Sequence, residues 1–238
     1  MGVFDFLRNK SYHTAMIRFD IITIFPRAFD SYLNESIISR AVHSKKVKIN
    51  VINLRDFAVG KHNTVDDRPY GGGPGMVFKV EPLIKAIISL KLKKEKVNII
   101  LFSASGHQFS SSVAAEFAKK YERIVMIAGH YEGVDERIKK VIQDLGFKFQ
   151  AISIGPYVLT GGELPAMLIV DAVTRYIPGV LGKSESLEEK RYGVGVPVYT
   201  RPEVFTYKEK KYSAPKVLLS GDHKKIESWR LKNKKTGL

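Results

Sequence analysis

Ile152-Ser153-Ile154-Gly155-Pro156-Tyr157-Val158-Leu159-Thr160-Gly161-Gly162-Glu163-Leu164-Pro165-Ala166 decides how the rest of the chain is understood. Apolar residues fill its start, Gly155-Pro156 interrupts them, and Gly161-Gly162 interrupts them again before the strongly apolar run from Leu164 to Tyr176. This is the pattern of a buried strand that runs into a loop and then into a helix. Such breaks expose backbone N–H and C=O groups, which a flat ligand can use for hydrogen bonds. An ordinary strand-to-helix connection has the same outline, so the neighbouring segments must decide.

Two upstream segments repeat the pattern. Val97 to Phe102 is a buried-strand run ending in Ser103-Ala104-Ser105-Gly106, and Ile124 to Ala128 ends in Gly129-His130-Tyr131-Glu132-Gly133. Helical spacing over Glu81 to Lys91 and Ser111 to Tyr121 separates them. Earlier, Met16 to Pro26 predicts a first strand, Phe29 to Val42 a helix and Val47 to Leu54 a second strand. Strands alternating with helices predict an α/β fold with a parallel sheet. There the three glycine-bearing exits share the carboxyl edge, where ligands bind. No G-x-G-x-x-G follows a strand and no P-loop occurs, which argues against a nicotinamide dehydrogenase or an NTPase.

Composition narrows the partners. Lys and Arg number 39 against 24 Asp and Glu, a net charge of +15, which suits a polyanion. From Lys183 onward there are 14 basic and 7 acidic residues, so the last part is the more basic per residue. The absence of cysteine removes disulfides, thiolate nucleophiles and zinc–sulfur sites, and the six histidines show no metal-ligand spacing. No apolar run has the length of a membrane span and Met1 to Ala15 lacks the form of a signal peptide, so a cytoplasmic protein is expected.

Arg55 to Met76 has no periodicity but is dense in polar groups and glycine, including Arg68-Pro69-Tyr70 followed by Gly71, Gly72, Gly73, Pro74 and Gly75. A long loop of this kind predicts a functional role near a phosphate or a base. The apolar helix from Leu164 calls for cover on both faces, as a dimer interface would give. The expected organisation is an extension over 1–15, a main domain over 16–182, a linker over 183–199 and a small module over 200–238, with Trp229 as its core anchor.

Six motifs in order resemble the bacterial tRNA (guanine-N1)-methyltransferases of the TrmD type. They are Asp66 to Met76 (DDRPYGGGPGM), Gly129 to Arg137 (GHYEGVDER), Tyr157 to Ala166 (YVLTGGELPA), Pro178 to Gly182 (PGVLG), Tyr199 to Glu203 (YTRPE) and Leu218 to His223 (LLSGDH). The resemblance implies a SPOUT-type α/β sheet tied in a deep trefoil knot, an exception to the rule that chains do not thread their own loops. It implies S-adenosyl-L-methionine as cofactor, held by Ser103, Gly129, Tyr131, Glu132, Gly133, Ser153, Ile154, Gly155, Pro156, Tyr157, Val158, Leu159, Gly161, Gly162 and Pro165. It also implies a homodimer with a composite active site, and methyl transfer to N1 of the guanosine at tRNA position 37. Arg55, Asp66, Arg68, Arg201 and Lys225 are the expected RNA contacts.

Chemically, N1 of guanine carries a proton near neutral pH, so a general base must remove it, and a cation near O6 would stabilise the charge that develops. Arg175 matches the family arginine for the second role. For the first role the family uses a linker aspartate, whereas ungapped counting places Lys190 here, so the adjacent Glu189 or Glu188 is the expected base. The family's helical carboxyl-terminal domain continues past the match at Trp229 to Lys232, so a shortened, mostly helical tRNA-binding module is expected over 200–238. Two other readings stay open: a SPOUT enzyme acting on another RNA atom, and a relative that binds cofactor and RNA without turnover.

Overall fold

The computed structural model describes residues 16–58, 64–93, 96–182 and 195–234. The chain divides into two compact units, one ending at Val180 and one beginning at Leu181.

In the first unit the strands are β1 (Ile17–Thr23), β2 (Val47–Asn53), β5 (Val97–Gln108), β6 (Arg123–Ile127) and β7 (Lys148–Ser153). They form one parallel sheet in the order β2-β1-β6-β5-β7. A short antiparallel pair, β3 (Asp66–Asp67) and β4 (Val77–Phe78), lies outside it. The helices are α1 (Asp30–Leu33), α2 (Ser36–His43), α3 (Val80–Ser89), α4 (Ser111–Lys120), α5 (Arg137–Asp144) and α6 (Glu163–Arg175).

Alternation along the strands builds a core on each face. Ile17, Phe19, Ile21, Ile124 and Met126 pack with Ile38 and Ala41 of α2, Ala114 and Phe117 of α4, and Ile169, Val170 and Val173 of α6. Ile22, Val125, Ile127, Ile99 and Leu101 point the other way, to Leu83, Ala86 and Ile87 of α3 and Ile138 and Ile142 of α5. The result is a parallel sheet between two helical layers, the α/β class expected. A buried carboxylate links β1 to β2 and β6. Asp20 is fully buried and accepts from Arg123 Nε at 2.5 Å, Asn50 Nδ2 at 2.9 Å and Arg18 Nε at 3.2 Å.

Several expectations change in detail. The helix predicted over Phe29 to Val42 is two pieces, α1 and α2, because α2 starts afresh at Ser36, whose φ of 50° breaks the helical path. The strand predicted to stop at Phe102 continues to Gln108 past a bulge. Phe102 and His107 both lie opposite Ile152, so 103–106 loop out and the strand re-pairs beyond them. Gly106 permits this, since a Cβ there would lie 2.7 Å from the backbone of Ala151 and Ile152. Helix α5 has no counterpart among the predicted elements.

The second unit holds an antiparallel hairpin, β8 (Val204–Tyr207) and β9 (Lys210–Ser213), then α7 (Lys216–Leu219) and α8 (His223–Lys232). A mostly helical module was expected, and the hairpin is an addition to it. Trp229 is half-buried rather than a core anchor, its ring edge-on to Tyr199 at 6.2 Å. Asp222 caps α8 by accepting from the backbone N–H of Lys225, which holds its carboxyl below the usual carboxylate range. Among the described residues, no helix is long and apolar enough to cross a membrane.

Candidate active site

Strands β5, β6 and β7 are neighbours in a parallel sheet, so their exits meet at one edge. Between them lies a cleft of about 330 Å³. Its walls are the bulge after Phe102, the turn at Gly129–Val134 and the loop at Ser153–Gly162, with Pro165 on the first turn of α6. All the residues expected to hold a cofactor line it, from Ser103 to Pro165, except Pro156, which is exposed in the same loop but outside the lining. The lining also includes Phe102, Ser105, His130, Lys139 and Thr160, which the motifs did not mark as contacts.

Close backbone approach shapes these walls. A Cβ on Gly162 would lie 2.5 Å from Ala128 Cα, and the Gly162 N–H instead donates to Gly129 O at 2.8 Å. The β7 exit folds on itself, with Ser153 Oγ donating to Gly155 O at 3.0 Å and Tyr157 Oη donating to Ile154 O at 3.1 Å. Tyr131 is held at a φ of 56°, a conformation uncommon for a residue with a side chain. Its ring stands edge-on to His130 at 4.7 Å.

A buried carboxylate joins the walls. Glu163, 9% exposed at the start of α6, accepts from Thr23 Oγ1 of β1 at 2.7 Å. Its other oxygen lies 3.8 Å from His130 Nδ1, a buried atom that no hydrogen bond reaches among the described residues. The helix amino terminus favours a negative charge at Glu163. One side chain thus ties the start of α6 to the end of β1 and stands beside the turn after β6. Neither Thr23 nor His130 stood out in the sequence, because their partners are distant along the chain; the apolar context of Thr23 was the available signal.

The glycine-rich loop docks on the same turn. Phe78 N–H donates to Gly133 O at 3.0 Å, Glu132 N–H to Met76 O at 3.1 Å, and Asp135 N–H to Phe78 O at 3.0 Å. Asp66 and exposed Arg68 are therefore carried by a segment fastened to the cleft wall, whereas exposed Arg55 lies in the turn after β2. The Arg137 side chain beside Asp135 holds that carboxyl below its ordinary range.

Arg175 does not join the cleft. It is half-buried at the last position of α6, roughly 18 Å along the axis from Glu163 at 1.5 Å per residue. One helical turn earlier, Asp171 accepts from Tyr32 Oη, which pushes the tyrosine pKa up to about 12. On the same helix Leu164 is 62% exposed and Leu168 39% exposed. Glu188 and Glu189, with Lys190, lie outside the described residues. In the second unit Arg201 is exposed, and the exposed Lys225 ammonium lies 3.1 Å from Asp222.

A family model described as tRNA (Guanine-1)-methyltransferase TrmD matches residues 17–237. A tRNA (guanine-N(1)-)-methyltransferase of Dictyoglomus turgidum is 50% identical over 228 residues, covering 94% of this chain and 88% of that protein. The protein of that name in Moorella thermoacetica is 47% identical over 219 residues, 90% of this chain and 84% of its own length. Its namesake in Staphylococcus aureus is 46% identical over 222 residues, 92% and 86%.

Proposed function

The chain belongs to the tRNA (guanine-1)-methyltransferase family, and from that premise we propose how its own residues carry the reaction. It is an enzyme that transfers a methyl group to N1 of a guanine in tRNA. The finer reading is that the guanine is at position 37, that the donor is S-adenosyl-L-methionine, and that the work is done in the cytoplasm by a homodimer. The observation that carries the donor site is the cleft where three strand exits converge.

The cleft fits such a donor. Its volume is at the lower end of the range for small-molecule sites, near 300 to 1,000 Å³. Backbone groups at Gly129 to Gly133 and Ser153 to Gly162 offer hydrogen bonds to a purine, while Ile154, Tyr157 and Leu159 supply apolar surface. When bound, the sulfonium donor supplies an electrophilic methyl group. The SPOUT knot belongs to the same reading, with the three glycine-bearing loops at the exits as parts of it.

The target base must leave its stack to enter the cleft. A carboxylate, Glu189 or Glu188, takes the proton from guanine N1 as the N1–methyl bond forms. The guanidinium of Arg175 meets the negative charge that develops at O6. Since Arg175 lies roughly 18 Å along its helix from the cleft wall, Arg175 of the partner subunit fills that role. The exposed Leu164 and Leu168 support a partner helix on this face. Asp66 and Arg68 hold RNA beside the cleft, while Arg55, Arg201 and Lys225 contact it elsewhere.

Lys190 at the family's acidic position favours one rival, a protein that binds donor and tRNA without turnover. Calorimetry with S-adenosyl-L-methionine, followed by transfer of labelled methyl to tRNAs with guanosine or adenosine at position 37, tests both. Donor binding with label only on the guanosine form is expected. Binding with no transfer selects the rival, and label on the adenosine form overturns the assignment of the base.

A further inference from the structure

The hairpin of the second unit displays side chains that no part of the reaction above uses. Its register pairs Phe205 with Tyr212 and Tyr207 with Lys210. Paired residues share a face and neighbours along a strand alternate, so Phe205, Tyr207, Lys210 and Tyr212 lie together on one side. Contacts agree with that placement: the Phe205 and Tyr212 rings are 6.4 Å apart, and Lys210 Nζ stands 5.6 Å from the Tyr212 ring. The three rings are 56%, 57% and 48% exposed in chain order, and no residue of either strand is buried.

An isolated two-stranded hairpin gains little stability of its own, so open aromatic rings on it serve a contact. The tip adds to this. Lys208 and Glu209 occupy the two-residue loop with φ of 44° and 63°, a turn that Asn-Gly would favour. The chain keeps Lys208 there, its ammonium 5.6 Å from the Tyr207 ring. Lys210 on this face and Lys208 at the tip, against Glu209, give it the charge complementary to a polyanion, while Lys211, paired with Thr206, lies on the other side. Rings that can stack on bases, interleaved with cations that can meet phosphates, form the platform used for unpaired nucleotides.

We infer that the Phe205–Tyr207–Lys210–Tyr212 face of the hairpin docks unpaired nucleotides of the tRNA substrate, stacking bases on the rings and holding phosphates with the lysines. This rests on tRNA being the substrate. The rings then set tRNA affinity but not donor affinity, and the lysines set the salt dependence.

The test uses the full chain, with tRNA affinity measured by fluorescence anisotropy across a salt series and donor affinity by calorimetry. Tyr207→Leu should weaken tRNA binding about 10-fold, the loss of one base–aromatic stack, with the salt slope unchanged. Tyr207→Phe keeps the ring and should stay within about 2-fold of the parent. Lys210→Gln should lower the slope of log affinity against log salt by about 0.7, one phosphate contact to a single strand. Donor affinity should be unchanged throughout. Parent-like tRNA binding by Tyr207→Leu overturns the inference, and so do equal losses for Leu and Phe. A shift in sedimentation of Tyr207→Leu would show that a second copy covers the face, overturning it too. If the parent methylates tRNA while Tyr207→Leu binds it normally, only this inference falls; if it methylates no RNA yet Tyr207→Leu loses tRNA, only the enzymatic reading falls.

Discussion

The cleft and the hairpin offer opposite surfaces to their ligands. At the cleft, backbone meets backbone: Gly162 sits so close to Ala128 that one added carbon has no room, and Glu163 is buried against Thr23. On the hairpin every residue is exposed and the rings project outward. The first surface offers a shape held rigidly between packed elements; the second offers side chains free to adjust. Substitutions should therefore act on fold and donor affinity together at the cleft, and on RNA affinity alone at the hairpin.

The largest effect is expected at Gly162. Gly162→Ala forces a Cβ to about 2.5 Å from Ala128 Cα, so donor binding measured by calorimetry should fall by more than about 100-fold and stability by about 1–3 kcal/mol. Gly182→Ala, with nothing within 4 Å of the added carbon, should leave stability within about 0.5 kcal/mol.

Next comes Arg175→Ala, which should lower the single-turnover methyl-transfer rate by about 10²–10³ while leaving donor affinity intact, as loss of one charge-stabilising group does. Mixing it with Gly162→Ala should recover about a quarter of parent activity, because half of the mixed two-fold dimers carry one intact site. No recovery would place Arg175 and the cleft it serves in the same protomer.

Smaller again is Glu163→Ala, which leaves Thr23 Oγ1 buried without its acceptor; urea unfolding should show a loss of about 1–3 kcal/mol. The smallest effect concerns pH. The folded-state pKa of Asp135 is lowered, first by the Arg137 side chain, so its contribution is present above the unfolded value near 3.9 and lost as pH falls through the folded value. Asp135→Asn should remove that acid-side loss, at most about 1 kcal/mol for so exposed a partner.

The sheet is legible in the sequence because fully buried parallel strands are near-continuous apolar runs rich in β-branched residues, as at Val97 to Leu101 and Ile124 to Ile127. The cleft is legible because backbone crowding requires glycine, and glycine is visible. Helix α5 also left a trace, with Ile138, Val141 and Ile142 at helical spacing between charged residues that mask it. Less legible is whatever depends on distant pairing. The re-pairing of His107 with Ile152 and the Thr23–Glu163 bond arise only once the strands are in register. The hairpin is hidden for another reason: with Lys208-Glu209 at its turn, it lacks the Asn-Gly or Asp-Gly signal that marks such loops.

The most direct measurement is a single turnover of the purified protein with methyl-labelled S-adenosyl-L-methionine and unmodified tRNA bearing guanosine at position 37, digested to nucleosides and resolved by mass. Label in 1-methylguanosine alone is the expected result; label on a ribose, on another base atom, or on no nucleoside would contradict the account.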